Sequence, residues 1–66
     1  MDYRLYRETI SEMESRNVDR DYIQGWAGGF MGNPMREEQR VTEAYEKGYE
    51  DGERGDATVF ERWISD

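Results

Sequence analysis

Carboxylates dominate the chemistry open to this chain. Glu46, Glu50, Asp51, Glu53 and Asp56 fall close together, and a hard divalent cation wants several such oxygens. The Asp51 to Asp56 stretch, DGERGD, lacks the spacing of a calcium loop, so the cluster reads as the solvated end of a helix and no metal site is expected. The chain has no cysteine and no histidine, which removes disulfides, zinc and most nucleophile–base pairs together. Ser11, Ser15 and Ser65 lack a base of the usual kind, so no catalytic residue is expected and the protein is read as a non-enzyme. The run GWAGGF has glycines but no preceding strand, no Lys-Ser/Thr pair and no GxGxxG spacing, so its glycines serve packing and no cofactor is expected. Arg54-Gly55-Asp56 is an adhesion tripeptide by letter only.

Aromatic residues give the sharper signal. Two Trp, five Tyr and two Phe in 66 residues are more than a core of this size readily buries. Aromatics anchor interfaces. Tyr22, Trp26, Phe30, Tyr45, Tyr49 and Trp63 are therefore candidate partner-binding residues, with Glu46, Glu50 and Asp51 as the charges beside them.

The net charge of -7, from 16 acidic and 9 basic residues, opposes phosphate backbones and anionic lipid and favours a basic or neutral protein surface. A chain this short buries only roughly 60% of its unfolded surface, so docking or homodimerisation is the remaining source of extra stability. The segment MDYRLYRETI is charged from its second residue and no apolar run has the length of a membrane span, which predicts a cytoplasmic protein without a signal peptide.

The elements that position these residues are helical. Tyr3, Tyr6, Ile10 and Met13 form an amphipathic stripe over residues 3–16, with Asp2 as N-cap. Asn17-Val18-Asp19 is a tight joint: Asn17 suits a left-handed cap, Val18 can touch Met13 and staple to Ile23, and Asp19 caps the next helix. A second helix runs from Asp19 to Met31 with Gly25, Gly28, Gly29 and Gly32 on one side, where another backbone can come close; a bend at Gly28-Gly29 is the competing reading. Gly32-Asn33-Pro34 combines a C-terminal glycine, an N-cap and a favoured first helical residue, which predicts a short turn into an antiparallel third helix over residues 34–54. That helix carries Val41, Ala44, Tyr45, Gly48, Tyr49 and Gly52 on one stripe. Thr58 to Glu61 has capping-box spacing and predicts a short helix to Ile64, whose Phe60, Trp63 and Ile64 fold back on the core or dock on another copy, the former preferred.

Gly25, Trp26, Gly28, Gly29 and Gly32, then Pro34, then Tyr45, Gly48 and Tyr49, resemble the two aromatic–glycine blocks and intervening proline turn of the ribosome modulation factor family. The resemblance spans residues 22–52. It implies a small helical hairpin and, in that family, ribosome binding through a basic surface. The charge here has the opposite sign, so the hairpin is carried over, and a ribosome-associated stress factor is the alternative function.

The expectation is one all-α domain over residues 1–66. It is a small bundle built on an antiparallel helical hairpin, with three main helices and a short C-terminal one. Its expected function is to bind a protein partner as an acidic regulator or inhibitor, of the kind phages and mobile elements encode.

Overall fold

The computed structural model describes residues 2–35 and 41–65. Three helices, α1 (Tyr3–Ser15), α2 (Arg20–Met31) and α3 (Glu43–Glu53), precede a single 3-10 turn, Phe60–Trp63, and the described residues contain no strand. The fold is all-α, as expected. A buried cluster of Met13, Val18, Tyr22, Trp26, Ala44 and Phe60 forms the core.

Helix α1 starts where Asp2 accepts a hydrogen bond from the Leu5 amide at 3.0 Å. Its inward face carries Met13 and Thr9, both buried, with Tyr6 and Ile10 packed against the core. Tyr3 belongs to the same sequence stripe yet is 66% exposed, because it lies at the helix end beyond the reach of α2's rings. The helix ends on Asn17 at φ 60, the left-handed region, and the Val18 amide donates to the Met13 carbonyl at 3.0 Å. Asp19 then caps α2 by accepting from the Asp21 amide at 2.8 Å.

This joint is also where the chain's end returns. The Asp19 amide donates to Trp63 O at 2.7 Å, the Ser65 amide donates to Asn17 O at 2.8 Å, and Val18 and Ile64 form an antiparallel bridge. Phe60 is buried and Trp63 and Ile64 pack on the core, so this segment is covered in cis. Val18 serves both helix ends and the returning segment. Val18→Asp is expected to cost about 3 kcal/mol, lowering the thermal midpoint by roughly 15 °C. An unchanged melt would contradict the role given to this joint.

Helix α2 is continuous through Gly28 and Gly29 and ends at Gly32, φ 73. Its glycines are tolerated because a backbone replaces side chains against them. A Cβ on Gly25 would strike the Tyr45 carbonyl and lie 2.9 Å from the Tyr49 amide. One on Gly29 would strike the Tyr49 carbonyl and lie 3.0 Å from the Glu53 amide. The contact is reciprocal: a Cβ on Gly48 would strike Tyr22 O, and one on Gly52 would strike Trp26 O.

Those contacts fix the helix direction. Moving one turn up α2, from Gly25 to Gly29, moves the contact one turn up α3, so the two helices run parallel. The antiparallel pairing expected across Gly32-Asn33-Pro34 is thereby corrected. Tyr22-x-x-Gly25-Trp26-x-x-Gly29 and Tyr45-x-x-Gly48-Tyr49-x-x-Gly52 are the same pattern, and each glycine faces the counterparts of the residues its equivalent faces. The pair therefore has an approximate twofold axis along its length. The antiparallel hairpin of this fold is instead α1 with α2, where Met13 lies by the joint and Tyr6, farther along, stacks on Trp26 at 6.2 Å and lies tilted against Phe30 at 5.7 Å.

A parallel pair requires the chain to travel back along α2 before α3 begins. At roughly 1.5 Å per helical residue and up to about 3.3 Å per extended residue, residues 33–42 span that length easily. Helix α3 accordingly starts at Glu43, not at Pro34. Its N-cap is Thr42, whose hydroxyl accepts from the Tyr45 amide at 3.1 Å. Pro34 and Met35 are not helical, Val41 precedes the helix, and the part of the expected helix at residues 36–40 lies outside the described residues. Gly55, at φ 65, ends α3. The capping box expected from Thr58 does not form, because Asp56 claims it: the Thr58 amide and hydroxyl both donate to Asp56 Oδ1, at 2.9 and 2.7 Å.

Candidate functional site

The aromatic candidates separate by burial. Tyr22 and Trp26 are completely enclosed, and Tyr45 and Tyr49 are also buried, so none of these four offers an anchor to a partner. Their work is internal. Trp26 stacks on Phe30 at 4.9 Å and its indole N–H donates to Asp56 O at 2.9 Å. Tyr45 and Tyr49 cover the Gly28 side of α2, each approaching to 3.9 Å of where a Cβ would stand, and the Tyr49 hydroxyl donates to Asn33 O. Phe30 and Trp63 are half-buried.

The charged candidates also divide. Glu46 and Glu50 are exposed, whereas Asp51 is buried. Asp51 lies three and seven residues beyond Gly48 and Ala44, on the inward stripe of α3, and that spacing is the signal that could have separated it from its acidic neighbours. On the outer side Glu43, Glu46, Glu50 and Glu53 recur at intervals of three and four, and all are exposed. They form one carboxylate ridge about 15 Å long.

Beside this ridge, between α3 and the 3-10 turn, lies a groove of about 620 Å³. It brings together Glu50, Asp51 and Trp63 of the candidates, and leaves Glu46 out. Glu43, Lys47, Arg54, Val59 and Arg62 complete it, none of which was a candidate from the sequence. Lys47 pairs with Glu50 at 3.5 Å, and Arg62 has no ion-pair partner among the described residues.

The groove floor is a fixed polar chain. Tyr22 donates its hydroxyl to one Asp51 oxygen at 2.5 Å, Arg54 binds the other at 2.5 Å, and Trp63 stacks on the Tyr22 ring at 5.8 Å. Both Asp51 oxygens are occupied and Tyr22 has no exposure, so this pair shapes the groove and is not placed to exchange protons with a substrate. Burial first, then the hydrogen bond to Asp51 and its charge, hold the Tyr22 phenol well above its ordinary 10.0. An unfolded tyrosine ionises near pH 10 while Tyr22 in the fold resists, so its contribution is complete below that pH and lost as pH rises through the raised value. Unfolding midpoints are expected to hold up to about pH 10 and then fall, less steeply in Tyr22→Phe. Equal alkaline slopes for parent and variant would contradict this assignment. Ahead of the 3-10 turn, the hydroxyl and amide of Thr58 hold the Asp56 carboxyl below the usual range.

Among the described residues no group of three or more carboxylates is arranged to hold a metal ion, and no helix is long and apolar enough to cross a membrane. Comparison with protein-family models, with curated proteins and with solved structures gave no match.

Proposed function

We infer that this chain is a non-enzymatic acidic interaction module that docks on a basic protein surface as a small regulator or inhibitor. The observation that carries the reading is the ridge of Glu43, Glu46, Glu50 and Glu53, exposed on a helix held backbone to backbone against α2. A rigid row of carboxylates loses little freedom on binding and complements a row of Lys and Arg. Such rows are what proteins use to grip phosphate backbones, so the module presents carboxylates where a nucleic acid would lie. That is a natural inhibitory strategy for a phage or mobile-element regulator acting in the cytoplasm. Trp63 and Val59, at the groove beside the ridge, supply the apolar contact.

Of the residues behind the resemblance to ribosome modulation factor, Gly25, Trp26, Gly29, Tyr45, Gly48 and Tyr49 are buried in helix packing, Gly28 is half-buried, and Gly32 and Pro34 are exposed. The resemblance therefore speaks to how helices pair more than to what the surface binds. Affinity capture from the native cytoplasm tests the reading, comparing the parent with the variant in which all four ridge glutamates become glutamine. A protein retained by the parent at low salt, and lost by the variant or at high salt, is expected. Robust cosedimentation of the parent with ribosomes or RNA would overturn it in favour of a ribosome-associated stress factor.

A further inference from the structure

We propose that α2 and α3 are two copies of one pairing unit, and that the face of α2 covered by its own α3 takes the α3 of a second copy of this chain in the same register. The unit spans residues 19–33 and recurs over residues 42–56, each position answered by the one 23 residues on. Tyr22, Gly25, Gly29 and Gly32 return as Tyr45, Gly48, Gly52 and Gly55. The structure repeats with the sequence. Asp19 and Thr42 cap the two helix starts, and Gly32 and Gly55 follow the two ends at φ 73 and 65. The Asn33 amide donates to Gly28 O and the Asp56 amide to Asp51 O, both at 2.9 Å. Across the pair, the Trp26 indole donates to Asp56 O, and its counterpart Tyr49 donates its hydroxyl to Asn33 O.

A contact in which each side offers the other the same surface is the kind that joins two subunits. Here one chain holds both sides, and each unit carries its own caps, so the link between them adds proximity more than contacts. A short link sets an effective concentration on the order of 1 mM, so at lower concentrations the chain satisfies its own α2 face. The α3 of a second copy enters when the chain's own α3 cannot pair.

Position 51 decides which helix that face takes. The counterpart of Asp51 is Gly28, so two α2 helices laid together would leave each Tyr22 hydroxyl facing a glycine where α3 offers a carboxylate. Two α3 helices would join segments that each carry Glu43, Glu46, Glu50 and Glu53 against Lys47 alone. The occupant is therefore α3, and every contact it makes in trans is one already made in cis.

Trans-complementation of two full-length variants tests this. Gly48→Leu keeps the α2 face but drives its own α3 against Tyr22 O, whereas Gly25→Leu keeps α3 but drives its own α2 against Tyr45 O. Each alone is expected to lose the parent's helical circular dichroism. An equimolar mixture at about 0.2 mM should recover about half of the parent's signal per residue and sediment as a one-to-one pair, because one intact α2 meets one intact α3. Gly25→Leu mixed with Gly29→Leu offers no intact α2 and should recover nothing. A first mixture that stays at the mean of its parts, a recovery in the second mixture, or any of the three variants folding alone like the parent would each overturn the proposal. None of these positions lies on the carboxylate ridge, so the outcome is independent of the function inferred above.

Discussion

Gly29→Ala is expected to unfold this protein or bring it close to unfolding, while the neighbouring Gly28→Ala raises its melting midpoint. The two glycines are adjacent in sequence and both are inside α2, so helix propensity alone would make both substitutions favourable by about 0.5–1 kcal/mol. Their surroundings separate them. A Cβ at position 28 meets only ring and hydroxyl atoms of Tyr45 and Tyr49 at 3.9 Å, an ordinary contact. The propensity gain survives there and should raise the midpoint by roughly 2–8 °C. A Cβ at position 29 would clash with the backbone carbonyl oxygen of Tyr49, which no rotamer can relieve. The helices must separate, at a cost of about 3 kcal/mol or more in a chain whose total stability is small. Gly48→Leu should act in the same way from the α3 side. Thermal melts of the two alanine variants moving in the same direction would contradict this picture.

Asp51→Ala is the second large effect. The carboxylate is buried and serves as acceptor for both Tyr22 and Arg54, so its removal strands a fully enclosed hydroxyl and frees a guanidinium. A loss of about 3 kcal/mol in urea unfolding is expected. Tyr22→Phe should cost less, about 1–2 kcal/mol, because Arg54 still compensates the charge. In the double variant the two losses should fall short of additivity by about 1 kcal/mol or more, as they share one hydrogen bond. Full additivity would mean that the Tyr22–Asp51 contact contributes nothing.

Local chemistry made the first half of the fold legible in the sequence. Asp2, Asn17, Asp19 and Gly32 each do at a helix end what their side chains or lack of one dictate, and these signals need no knowledge of the tertiary structure. Pro34 misled because Asn-Pro is a good helix start only when the chain can turn there, and a parallel pair forbids that turn. The glycine spacing could not reveal direction, since glycines one turn apart open the same gap to a parallel or an antiparallel neighbour. The recurrence of Tyr-x-x-Gly-aromatic-x-x-Gly in both helices marks them as equivalent, but a twofold axis relates parallel and antiparallel pairs alike, so direction is carried by the order of the contacts themselves.

At the candidate site, the exposed carboxylates followed from helical spacing, but composition could not say which aromatics the small core would absorb. It absorbed Tyr22, Trp26, Tyr45 and Tyr49, because backbone contact between α2 and α3 leaves rings to cover both sides of the pair. Asp51 was hidden among acidic neighbours. Its partner Tyr22 is on another helix, where no local pattern reaches.

The parallel backbone contact between α2 and α3 is the claim on which the rest depends, and a nuclear Overhauser spectrum of the labelled protein tests it directly. Cross-peaks from the Gly25 α-protons to the backbones of Tyr45 and Tyr49, and from Gly29 to Tyr49 and Glu53, are expected, with Gly48 answering to Tyr22 and Trp26. Cross-peaks in the reverse order, with Gly29 nearer the start of α3 than Gly25, would show an antiparallel pair and contradict the account.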